Sequence, residues 1–397
     1  MTIQIEEPRP GAGIKFSLFA LGFRPFFLLA ALSAVSLIFA WLIHLSGQAH
    51  FIFYYSAVGW HAHEMLFGYT VAVIAGFLLT AAGNWTGTKV IHGWALQLLS
   101  LLWIAGRIAP FIPGLPGWLV ATTDFLFLPV VTLLLAVPII RAKQWSNVVF
   151  IIVLLFMAAA NVMVHFNILK LATVSPVLGT HMMMYLVIFL IVVMGGRVIP
   201  FFTERGVSGS KSRSWRWIER MSPVSVFLVA CADLFFTDMV ITGCLALFAA
   251  VIQGIRLAGW YSNKIWAVPL VWILHLAYAW IVIGFVLKAF ALFELNVSIL
   301  SLHALTVGGI GVMTLGMMAR VSLGHTGREM KLDRWMSLAF VILNLAAVFR
   351  VILPVLIQDY YLQLINIAGW LWAIAFTLFI VVYAPMWLQS RIDGREG

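Results

Sequence analysis

Charge is what this chain has least of: Asp, Glu, Lys and Arg make up only 10% of its 397 residues. Soluble domains carry about a quarter, so a water-facing surface of ordinary size cannot be built from it. Cysteine is as scarce. Cys231 and Cys244 are the only two, and both fall in apolar runs, which excludes a disulfide scaffold and a CxxC metal site. No CxxCH motif occurs, so a haem would be held without the c-type covalent link. Acidic residues number 14 against 24 Lys and Arg. The bases are scattered through short loops rather than gathered in a tract, which excludes a nucleic-acid-binding arm.

Apolar sequence is what remains, at 63% hydrophobic and a mean hydropathy of +1.05. A chain of this kind gives its apolar surface to lipid, and only helices or closed barrels satisfy their backbone there. With about twenty apolar residues per crossing, about twelve spans fit, at 18–44, 61–82, 92–109, 117–140, 147–168, 177–201, 222–237, 240–258, 266–288, 299–322, 335–356 and 362–388. The expected fold is all-α and polytopic, a single transmembrane domain. The pair at 222–258 is the shortest and is divided only by Asp238. Residues Glu6, Glu7, Pro8 and Pro10 lead into a first run too long for a signal peptide, which is expected to stay as the first span.

Lys and Arg set the orientation. Five of them, Arg24, Arg107, Arg197, Arg320 and Arg350, lie within or at the ends of spans, and Lys170 and Lys288 occupy one side. Every other basic residue falls on the side of the termini, so the positive-inside rule places both termini in the cytoplasm. His61 and His63 in span two, His181 in span six and His303 in span ten then stand near the outer surface, as do His44 and His165 at the ends of spans one and five. His275 sits mid-span, and His92 and His325 face the cytoplasm.

The spacing is periodic. His61, His181 and His303 recur about 120 residues apart, and His44 precedes His61 by about the interval that separates His165 from His181. His63 is followed by Thr86-Gly87 and His303 by Thr326-Gly327 at one spacing, and Gly106-Arg107-Ile108-Ala109-Pro110 echoes Arg350-Val351-Ile352-Leu353-Pro354. The pattern predicts three four-helix repeats, about 1–145, 146–262 and 263–397.

Intramembrane imidazoles without cysteine partners favour haem axial ligation or copper. Residues two apart on a helix point about 200° apart. His61 and His63 therefore serve two sites, or two faces of one, unless the first turn is irregular. His61, His63 and His303 are the candidate haem ligands, and His181 is a haem or copper ligand assisted by His165. Tyr185 shares a helix face with His181 and can supply a proton or hydrogen bond to whatever His181 holds. Glu64 is either a proton-transfer group or a first-turn acid favoured by the helix dipole. Arg107 and Arg350 suit haem propionates, because a guanidinium matches carboxylate geometry. Arg24 and Arg197 are expected to cap carbonyls or pair with acids near the cytoplasmic face, Met182 to Met184 to pack, and His44, His50 and His92 to anchor at the interface.

GFRPFF at 22–27, WHAHEM at 60–65, GGRVIPFFT at 195–203 and MARVSLGHTGR at 318–328 resemble the NnrS family of haem- and copper-containing membrane proteins, along the whole chain. The resemblance implies a multi-pass protein of the bacterial inner membrane tied to nitric oxide metabolism and nitrosative stress. The histidines on spans two, six and ten are also similar to the catalytic subunit of haem-copper oxidases and nitric oxide reductases, where the span-six ligand can be followed by a tyrosine four residues on. This chain departs from that pattern: its His-x-His pair is on span two instead of span ten, and span seven has no histidine. The function so implied is binding of nitric oxide at a b-type haem, with copper as a second metal, and its reduction by an unidentified electron donor, with Tyr185 and Glu64 as catalytic groups. A haem sensor or electron carrier without turnover, and a twelve-span transporter of a metal or small anion, are the alternatives. Transporter sites favour the midplane, whereas these histidines are peripheral.

Overall fold

The structure, a computed structural model, describes residues 16–48, 54–173, 175–236, 239–291 and 295–394. His50 and Asp238 lie outside the described residues. Among the described residues, eleven helices are long and apolar enough to cross a membrane: α1 (Phe23–Leu45), α2 (Ala57–Thr86), α3 (Gly93–Phe111), α4 (Gly117–Arg141), α5 (Trp145–Ile168), α6 (Pro176–Gly206), α8 (Val240–Trp260), α9 (Pro269–Phe290), α10 (Val297–His325), α11 (Arg334–Leu356) and α12 (Gln358–Leu388). A further helix, α7 (Arg216–Phe235), has the length but opens on Arg216, Glu219 and Arg220. Among the described residues there is no strand. The protein is an all-helical, polytopic membrane protein, and its helices follow the expected spans with several ends extended. α2 starts at Ala57, where the Ser56 side chain caps it by accepting from the Gly59 N–H, and α6 runs to Gly206, because polar end residues that hydropathy discards still make backbone hydrogen bonds.

The charges at the head of α7 have a partner inside the bundle. Glu219 pairs with Arg256 of α8, whose Nη1 also donates to the Val192 carbonyl at 2.8 Å and the Tyr278 hydroxyl at 3.0 Å. Buried charge of this kind is tolerated because each donor is met.

Burial ranks the helices. In the most apolar window of α2, 83% of residues are buried inside the protein, against 39% for α1, α3, α4 and α12. Hydropathy cannot make this distinction, since a lipid-facing wall is as apolar as a packed one. The histidine-bearing α2 is thus a central element, and the outer helices shield it from lipid.

Small residues let the helices close up. A Cβ on Gly179 of α6 would stand 2.6 Å from the Ala160 carbonyl oxygen of α5, and a backbone oxygen cannot swing aside. Gly179→Ala is expected to cost about 1–3 kcal/mol, read as a lowered unfolding temperature in detergent. An unchanged melting point would mean that the α5–α6 contact is looser than described.

Three helices are not α-helical throughout. Wide π turns occupy Glu64–Thr70 of α2, Ala304–Gly311 of α10 and Val348–Ile352 of α11. π turns interrupt helices chiefly at functional positions. Here two begin on the residue after a histidine, His63 and His303, and the third contains Arg350. The glycines that follow these histidines at equal spacing, Gly87 and Gly327, both take the left-handed conformation, with φ of 69° and 73°. That backbone is open to Gly at little cost, and each ends its helix there. Arg24 and Arg197 both do carbonyl-capping work. Arg24 Nη1 donates to the carbonyls of Trp387 at 2.8 Å and Gln389 at 2.5 Å, tying the start of α1 to the end of α12. Arg197 reaches Asn147 Oδ1 at 3.1 Å and the Ser146 carbonyl at 3.2 Å.

Candidate functional site

Helices α1, α2, α5, α6, α10, α11 and α12 enclose a cavity of about 840 Å3 at one end of the bundle. Its walls are mostly apolar and aromatic, with Trp41, Leu66, Met184, Leu302 and Trp372 among them. Four nitrogen-bearing side chains of chemical interest reach it: His61, His181, His303 and Arg350. Small-molecule and cofactor pockets are of this size and character, apolar with a few placed polar groups.

Each imidazole is held differently. The first turn of α2 is regular helix from Ala57 to His63, so His61 and His63 face apart and only His61 lines the cavity. The His61 ring stacks on Trp41, centroids 4.5 Å apart and planes 15° from parallel. Its Nδ1 is buried and has no hydrogen-bond partner among the described residues. His303 donates from Nδ1 to the Ile299 carbonyl at 2.8 Å, which fixes the ring with Nε2 as the acceptor nitrogen. Arg350 Nη2 donates to that Nε2 at 3.1 Å, while Arg350 Nη1 is buried and unpaired among the described residues. His181 Nδ1 stands 3.9 Å from Asp233 Oδ2. Tyr185 donates to the same oxygen at 2.8 Å, and Lys288 pairs with the other carboxylate oxygen. Tyr185 is therefore turned toward Asp233 of α7, one residue away from the cavity wall formed by Met184.

On the opposite face of α2 lies a second polar group, in which His63, Glu64, Asp124, Asn161 and His165 are buried. His63 Nδ1 is 3.1 Å from Glu64 Oε1, and its Nε2 is 3.2 Å from Asp124 Oδ2 and 3.1 Å from Asn161 Oδ1. His165 Nε2 meets Asp124 Oδ2 at 2.9 Å, and its Nδ1 meets the Tyr54 hydroxyl at 3.0 Å. Asn161 Nδ2 donates to Asp124 Oδ2 at 2.8 Å. Arg107 Nη1 donates to both Glu64 oxygens at 3.0 Å, and the same guanidinium pairs with Asp124. Tyr55 Oη lies 3.3 Å from His63 Nε2. Burial pushes the Tyr54 phenol up to about 12 and, with help from the Glu64 charge, holds the Tyr55 phenol well above its ordinary value. Both keep their protons at neutral pH.

The structure thus sorts the residues singled out by sequence into three places. His61, His181, His303 and Arg350 share the cavity. His63, Glu64, Arg107 and His165 share the buried network behind it, so Arg107 does not line the cavity with Arg350. Tyr185 belongs to the Asp233 group beside His181. His44 also stacks on Trp41, with ring centroids 5.7 Å apart. His275 Nδ1 donates to the Val271 carbonyl at 3.1 Å within α9, and the ring of His325 packs at 5.7 Å against Phe23. Asp124, Asn161, Tyr54, Asp233 and Trp41 were not picked out from sequence. A signal existed for the two acids: each is a lone carboxylate inside an apolar run, and an intramembrane ionisable residue marks a functional position by default.

A family model described as NnrS protein matches residues 17–391 of the chain. No curated protein sequence matches it.

Proposed function

The chain belongs to the NnrS family, and on that footing we propose that it is a haem protein of the bacterial inner membrane that binds nitric oxide and reduces it. The observation that carries this reading is the arrival of His61, His181 and His303, from three separate helices, at one apolar cavity together with Arg350. The residues suit a haem in four respects. The cavity volume of about 840 Å3 lies in the cofactor range. His61 has a buried, unpaired Nδ1. His303 donates its other ring nitrogen to a backbone carbonyl, as metal-bound histidines commonly do. Arg350 offers a guanidinium to a carboxylate.

His61 and His303 would hold the iron, Arg350 would meet the propionates, and His181 is left as a third imidazole for the iron or for copper. A haem bound there would supply a redox-active iron as the site for nitric oxide. The chain does the rest. Apolar walls exclude water and admit an apolar gas from the lipid. Trp41 holds the His61 ring by stacking, and the Ile299 carbonyl fixes the tautomer of His303. Reduction of two nitric oxide molecules to nitrous oxide and water takes up two electrons and two protons. Beside the cavity, Tyr185 Oη holds a proton in its hydrogen bond to Asp233 Oδ2, next to His181. The electrons come from a separate donor, and the Lys and Arg distribution puts both termini in the cytoplasm.

The test is a reduced-minus-oxidised absorbance spectrum of the purified protein, with pyridine haemochrome and elemental copper on the same sample, before and after nitric oxide. Non-covalent b-type bands that shift with nitric oxide, and nitric oxide consumption once an electron donor is added, are expected. Absence of haem overturns the reading. Haem that binds nitric oxide without consuming it overturns the reductase part and leaves a sensor or carrier.

A further inference from the structure

The network behind the cavity has a construction that hydrogen bonding alone does not require. Three potential ligand atoms, His63 Nε2, Asp124 Oδ2 and His165 Nε2, lie within 4.8 Å of one another, and all three residues are buried. The second polar atom of every one is tied to an outer partner. His63 Nδ1 meets Glu64 Oε1 at 3.1 Å, His165 Nδ1 meets the Tyr54 hydroxyl at 3.0 Å, and the other Asp124 oxygen, Oδ1, is engaged by Arg107. Such outer contacts aim a side chain and choose its tautomer, and they accompany metal ligands as a rule. From these contacts we propose that His63, Asp124 and His165 bind a divalent first-row transition-metal ion at a site separate from the cavity that His61 lines.

Spacing and charge both favour an ion. Donors bound at about 2.0 Å in a tetrahedral site sit about 3.3 Å apart; Asp124 Oδ2 is 3.2 Å from His63 Nε2 and 2.9 Å from His165 Nε2. An outward shift of a few tenths of an ångström admits the ion. Glu64 and Asp124, both buried, bring two negative charges against the single positive charge of Arg107. A surplus carboxylate is costly there, and a bound cation offsets it. Asn161 Oδ1, 3.1 Å from His63 Nε2, is placed as a fourth donor. Two imidazoles with oxygen donors suit zinc, copper or ferrous iron better than magnesium or calcium. The proposal does not rest on the haem reading.

The experiment uses the purified full-length protein, stripped with a chelator and then given Zn(II) alone or Cu(II) alone, with bound metal and haem per chain measured on the same samples. Wild type is expected to retain one equivalent beyond any metal of the cavity. Asp124→Asn and His165→Ala are expected to lose it while haem per chain is unchanged. Where either variant fails to accumulate, Tyr54→Phe decides: it removes only the outer hydrogen bond to His165 and is expected to weaken binding by about 10–100-fold. A wild type that retains neither ion, or variants that bind as tightly as wild type, overturn the proposal and leave a hydrogen-bonded network. A sample without haem that still binds the ion overturns the haem reading alone.

Discussion

His303→Ala is expected to lower haem per chain by more than about 10-fold. Loss of an outer partner of a metal ligand already costs about 10–100-fold in affinity, and His303 is placed as the ligand itself. Its ring is fixed through Nδ1 to the Ile299 carbonyl, it lines the cavity, and the π turn of α10 starts on the next residue. His61→Ala should behave alike, since the two rings share the cavity. His92→Ala, an exposed residue in the α2–α3 loop, is the control and should leave the pyridine haemochrome unchanged. A His303→Ala protein that keeps the full haem complement removes His303 from the ligand set.

Arg107→Ala is expected to destabilise the protein by about 3–5 kcal/mol, the cost of stripping a buried pair of its partner. Among the described residues Arg107 is the one guanidinium paired with both Glu64 and Asp124, and those carboxylates are 1% and 2% exposed. Neither can relax into water. The variant should lose much of its folded yield in detergent and melt earlier by thermal unfolding. Adding Glu64→Gln to Arg107→Ala should restore part of the loss by removing one of the stranded charges. An Arg107→Ala protein that melts with wild type would show that the paired carboxylates do not depend on this guanidinium.

Much of this was legible from residue types alone. Long apolar runs gave the helices their approximate places, and the recurrence of His61, His181 and His303 singled out three side chains that meet at one cavity. The 200° separation of His61 and His63 on a helix anticipated two environments, and the regular first turn of α2 delivers them. What could not be read was the partner of each charge. Arg107 and Arg350 occupy echoing motifs, yet one is drawn to Glu64 and Asp124 and the other to His303. Pairing of that kind depends on which helices are neighbours, and in lipid both faces of a helix are apolar, so the pattern carries no record of neighbours. Tyr185 shows the same limit: its spacing from His181 was correct for a shared face, but an acid on another helix, Asp233, accepts its hydrogen bond. The π turns were invisible for a different reason, since Glu64–Thr70 and Ala304–Gly311 have compositions that an ordinary α-helix accepts.

Those turns carry a further implication, for length instead of for chemistry. A π turn accommodates one residue more than the α-helical path, and each residue of an α-helix advances the azimuth by about 100°. Deleting one residue from Ala304–Gly311 would therefore let α10 revert to plain helix with His303 held near its present azimuth relative to Thr314, which is hydrogen-bonded to Tyr69 at 2.5 Å. The chain would keep its hydropathy and its span, and the imidazole would still face the cavity. A residue lost from an α-helical stretch instead turns everything beyond it by about 100°, so an alignment gap placed outside these turns pairs the wrong faces.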